Sequence, residues 1–158
     1  MRVCVLRSGR SAHATALLAI VVVGGASFGA AVAAEEFVLI RNAKNPVTNL
    51  TRAEVKDMAV GKKKVWPQGQ NTVVQMVWGP AGSPELGWFA TAVVGAPEAT
   101  LMAKVRQEVF KGEMRKPIVA AAESDCLEAV ASDAGGLGVV RASATDHLPP
   151  TVAVVAVR

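Results

Sequence analysis

The 158 residues carry 17 Lys and Arg against 13 Asp and Glu, a formal net charge of +4, and only two cysteines. Arg2, Arg7, Arg10 and Cys4 all fall in the first ten positions, so the rest of the chain has 14 basic against 13 acidic residues, a balance of +1, and a single thiol, Cys126. Such a remainder excludes the strong basic field that nucleic-acid binding wants and excludes an internal disulfide; stability must come from an apolar core.

Behind the three arginines, residues 14–23 read ATALLAIVVV, followed by small residues in which Ala31-Val32-Ala33 fits the pattern a signal peptidase accepts. Residues 1–34 are therefore expected to be a cleaved secretory signal peptide, cut after Ala33 or Ala34, with a periplasmic address for the rest. An uncleaved anchor is the alternative, because the uncharged run from Ala14 to Ala34 approaches the ~20 residues a membrane span needs. Gly24, Gly25, Ser27 and Gly29 interrupt that run where a span would carry Leu or Val. The mature part, 35–158, is long enough to fold as one domain.

Residues 35–41, EEFVLIR, form a short aliphatic strand that ends in a polar loop at Asn45-Pro46. Thr51-Arg52-Ala53-Glu54 is a capping box that opens a helix, and Gly61 closes it. Lys62-Lys63-Lys64 lies in a solvated loop, and 72–78, TVVQMVW, is a strand rich in β-branched residues. Ser83-Pro84-Glu85 starts a second helix with a cap, a first-position proline and an early acid, and Leu86, Phe89, Ala90 and Val93 share its inner face.

After Gly95-Ala96-Pro97, a third helix over 98–110 places Leu101, Val105 and Val109 at spacings of four. A fourth is expected with Ser124 as its N-cap and Leu127 and Val130 facing inward, which leaves Cys126 as a buried thiol. Residues 137–140 and 151–157 are strands, with a turn at 141–144 between them. Strands separated by helices indicate an α/β domain, a small mixed sheet flanked by helices.

Groups able to do acid–base chemistry are few. The mature part has one histidine, His147, in a proline-bounded loop, no tyrosine, and no cluster with metal-ligand spacing. No catalytic residue, metal or cofactor is expected. The turn Gly79-Pro80-Ala81-Gly82-Ser83 ahead of a helix is the one constellation with binding chemistry, because a strand-to-helix turn offers amides and a positive helix end to an oxyanion. The plainer reading is that Ser83 only caps its helix.

A series of motifs gives the chain a wider resemblance. Asn45-Pro46-Val47, Leu50-Thr51 with Glu54, Gly61-Lys62 with Trp66, Gly82-Ser83 with Phe89, Val94-Gly95, Phe110-Lys111-Gly112 with Pro117, and Gly136-Leu137-Gly138-Val139 occur in sequence over about residues 37–144. In this order they resemble the phosphate ABC transporter substrate-binding protein family, in its short single-domain, periplasmic-binding-protein-like form. The resemblance implies a single lobe of that fold and a phosphate-like small anion as ligand; here the anion is expected at Gly82 and Ser83 with help from Arg141 or Ser143. It further implies an ABC transporter membrane component or another envelope protein as partner.

In larger members the matching segment is mainly the second of two lobes, so one lobe would supply one wall of a cleft. The family's turn typically continues from Gly-Ser into Gly-Thr or toward an arginine, whereas Ser83 here is followed by Pro84, Glu85, Leu86 and Gly87. Glu85 would repel a dianion, so tight phosphate binding is not expected. The alternative is an envelope interaction module that keeps the lobe without the solute, in which the three tryptophans would matter if exposed.

Overall fold

The computed structural model describes residues 36–68 and 71–158. The expected signal peptide, 1–34, lies outside them, and no helix among the described residues is long and apolar enough to cross a membrane. Among the described residues six strands form one mixed sheet: β1 (Phe37–Asn42), β2 (Asn49–Leu50), β3 (Gln75–Trp78), β4 (Ile118–Val119), β5 (Gly136–Arg141) and β6 (Val152–Val157), in the order β2-β6-β1-β5-β3-β4. β1 runs antiparallel to β5 and β6, while β2 with β6, β3 with β5 and β3 with β4 pair parallel. The architecture is the α/β one expected, a mixed sheet flanked by helices.

Strand alternation divides the core into two layers. Leu39, Met76, Trp78, Leu137 and Val139 face one side, where they pack with the first three helices, and Ile40, Val77 and Val140 face the other, against the fourth. The central strands are buried on both faces, and Met76–Trp78 and Gly136–Val140 accordingly carry no charged or polar side chain facing out.

Local signals account for the helices. In α1 (Arg52–Ala59) the capping box is complete: the Glu54 amide donates to Thr51 Oγ1 at 3.2 Å, and the Thr51 amide donates to the Glu54 carboxylate at 3.0 Å. Gly61 follows with φ +73°, the left-handed turn that a glycine makes without strain. Lys63 pairs with Glu54 at 2.8 Å and Lys64 with Glu113, so part of the solvated lysine run is engaged.

Ser83 caps α2 (Pro84–Trp88), which widens into a π-helical segment, Phe89–Val94; Leu86, Phe89, Ala90 and Val93 are all buried, as their spacing predicts. α3 (Glu98–Phe110) buries Leu101 and Val105 and leaves Val109 half-buried. The expected start of the fourth helix is corrected. α4 (Glu123–Ser132) is preceded by Ala122, and the Asp125 carboxylate accepts the Ala122 amide at 3.1 Å, which puts Ser124 inside the first turn. Its inward pair is Cys126 and Val130, with Leu127 half-buried. A 3₁₀ segment, Ala142–His147, occupies the expected turn after β5.

Arg41, Asn42 and Asn45, buried polar residues, stand together at the end of β1. The Arg41 guanidinium, 7% exposed, donates to the carbonyls of Asn42 and Asn45, and burial lowers its pKa from the ordinary value. Asn42 Nδ2 donates to the carbonyls of Val130 and Ala131 at 3.0 and 2.8 Å, tying β1 to the end of α4.

Candidate functional site

β3, β4 and β5 run parallel, and their carboxyl ends open into a common cleft of about 290 Å³. In open α/β sheets that end is where ligands collect, because the helices that follow the strands start there. Here Gly79 and Pro80 leave β3, Ser83 caps α2, Ala120–Ala122 leads from β4 into Glu123 at the start of α4, and Arg141 ends β5.

Of the residues singled out in the sequence, Ser83 and Arg141 line this cleft. Gly82 and Ser143 do not. The Gly82 amide donates to the Glu98 carboxylate at 2.8 Å on an exposed turn, and Ser143 sits exposed on the 3₁₀ segment. Ser83 Oγ accepts the Leu86 amide at 3.3 Å, the cap expected on local grounds. A Cβ at Gly79 would come 2.4 Å from Ser83 Oγ, so the turn folds back closely on its own cap.

The electrostatics are mixed. Arg141 brings one guanidinium, 45% exposed, and its Nη2 lies 3.4 Å from Glu85 Oε1. The Arg141 amide donates to Glu123 Oε2 at 3.2 Å. Two carboxylates thus share the cleft with Arg141, Glu85 beside its guanidinium and Glu123 on its backbone amide. Glu85 was legible as a repulsive group next to Ser83; Glu123 was not, because with α4 assigned to start at Ser124 it read as loop. It reaches the cleft only through the crossing of α4 over β5.

Cys126 lies at the back of the cleft, 4% exposed, with Sγ donating to the Val139 carbonyl at 3.6 Å. Burial pushes its thiol up to about 11, so it stays protonated and is no nucleophile at neutral pH. Among the described residues no group of three or more His, Cys, Asp and Glu could hold a metal ion. His147 is exposed at the end of the 3₁₀ segment, outside the cleft. The arrangement suits recognition of a small polar group by one guanidinium, a hydroxyl and backbone.

Trp66 and Trp78 are buried and Trp88 is half-buried against Phe37, ring centroids 5.6 Å apart, so the tryptophans serve the core.

No family model and no curated protein matches the chain. Solved structures do. An ABC-type phosphate transport receptor from Vibrio cholerae superposes with a TM-score of 0.52 at 17% identity, over 78% of this chain and 46% of that one. PstS from Borrelia burgdorferi gives 0.60 at 11%, over 78% and 47%, and a phosphate-binding protein from Stenotrophomonas maltophilia gives 0.55 at 22%, over 78% and 39%. The chain spans less than half the length of each of these structures. At such identities the likeness is one of fold: the chain has the fold of a lobe of the phosphate ABC transporter substrate-binding proteins, the group its motifs resemble.

Proposed function

We propose that this chain is an exported, non-enzymatic solute-binding-like domain that receives a small anion in the cleft between Ser83 and Arg141. The observation that carries this is the position of Arg141, at the carboxyl end of β5 in a 290 Å³ cleft that Ser83 at the start of α2 also lines. The fold it shares with phosphate-binding proteins supports the same reading. A phosphate-like ion is the ligand class in view, delivered to an ABC-type membrane component in the periplasm after cleavage of residues 1–34. Gly82 and Ser143, off the cleft wall, have no direct part in it.

Calorimetric titration of residues 35–158 with phosphate, sulfate and small carboxylates tests the reading. Saturable heat that is lost in Arg141→Gln is expected, and no heat at millimolar ligand would remove the solute. N-terminal sequencing of the periplasmic protein should return Ala34 or Glu35 first.

A second reading, an envelope interaction module that keeps the lobe without the solute, is favoured by Glu85 and Glu123, which offset the guanidinium of the cleft.

A further inference from the structure

α3 carries more apolar surface than the core covers. Leu101 and Val105 are buried, but Met102 and Val109 are only half-buried and Phe110 is 91% exposed. Positions 102, 106, 109 and 110 fall on one helical face, and that face forms one wall of a groove of about 320 Å³. The other wall is Lys116, Pro117 and, on β4, Val119, which is 58% exposed. An apolar side chain left at 91% exposure beside a concave apolar surface is the usual mark of a contact surface.

Charge and an open strand edge narrow what fits there. The charged residues that line the groove are Arg106 and Lys116, both basic and both exposed, and among the described residues no carboxylate lines it. β4 is the last strand of the sheet, paired only with β3 among the described residues. The Ala120 amide donates inward to the Trp78 carbonyl at 2.9 Å, so strand alternation turns the Val119 amide and carbonyl toward the open edge. The groove therefore joins apolar side-chain pockets, an unpaired strand edge and a cationic rim.

We propose that the groove between α3 and β4 docks an extended segment of a partner protein, carrying alternate apolar and acidic residues, as a strand added beside β4. Main-chain pairing at Val119 would fix its register, apolar side chains would cover Phe110 and Val109, and carboxylates would meet Arg106 and Lys116. The surface is separate from the anion cleft, so the two readings stand or fall independently.

A fluorescein-labelled peptide of about ten residues alternating leucine and glutamate, titrated into residues 35–158 and followed by anisotropy, tests this. Saturable binding is expected. It should weaken about tenfold or more in Phe110→Ser and in the double variant Arg106→Glu, Lys116→Glu, and when lysine replaces glutamate in the peptide; Arg141→Gln should leave it unchanged. Phe110 is so exposed that its replacement leaves the fold intact, which circular dichroism checks. The proposal is overturned by absence of binding at millimolar protein, by equal binding to these variants, or by sedimentation showing that Phe110 is instead covered by a second copy of the chain.

Discussion

Gly135 stands where a side chain has no room. A Cβ built there would lie 1.8 Å from the Val73 carbonyl oxygen, a backbone atom that no rotamer change can move away. The same residue is a double acceptor: its carbonyl takes the Trp66 indole N–H at 3.0 Å and the Gln75 amide at 2.9 Å. Its placement therefore sets both the entry of β5 beside β3 and the seat of a buried tryptophan. Gly135→Ala is expected to destabilise the domain by about 2–3 kcal/mol through overpacking. A urea midpoint equal to that of the wild type would show that the 133–136 turn yields freely and that the close approach has no energetic consequence.

Among the elements, α1 shows how local chemistry fixes a boundary. The Lys63 ammonium first, and then the Thr51 amide, hold the Glu54 carboxyl below its ordinary pKa. A lowered carboxyl pKa stabilises the fold above the unfolded value, near 4.5, and loses that contribution as pH falls through the folded one. Glu54→Ala should cost about 1 kcal/mol at neutral pH, mostly as a lost cap, and the difference from wild type should shrink as pH falls through the lowered pKa of the native carboxyl. A penalty that stays constant between pH 7 and 3 would sink this assignment.

The same contrast between local and distant causes explains what could be read from the chain. Thr51, Gly61, Ser83 and Pro84 mark helix ends through contacts within a few residues, and the structure places those ends as expected. β2 and β4, two residues each, are strands only because β6 and β3 lie beside them, and no short-range pattern announces such a partner. Ser124 looked like a cap because serine caps many helices, but Asp125 reaching back to Ala122 starts α4 earlier. Ser83 and Arg141 were legible as neighbours only through the family-like order of motifs. Glu123 comes to them by the packing of α4 on β5, which sequence spacing does not encode.

At the scale of the whole molecule, the described residues offer an anion a cleft in which Arg141 stays 45% exposed, while the solved relatives are more than twice as long as the segment they share with this chain. An ion bound on an open wall keeps part of its hydration, so each charge around it acts through a screened, water-like field worth about 1 kcal/mol. On that scale Arg141 attracts while Glu85 and Glu123 oppose it, and the balance leaves a dianion weakly held. Replacing both acids by their amides keeps shape and removes two repulsions. The double variant Glu85→Gln, Glu123→Gln should therefore bind phosphate at least about tenfold more tightly than wild type, with sulfate following the same order. The gain should fade in 0.5 M salt, where the screening length falls to about 4 Å. If calorimetry finds the two proteins equal at low salt, the anion does not sit at Arg141, and the cleft at the ends of β3, β4 and β5 serves another contact.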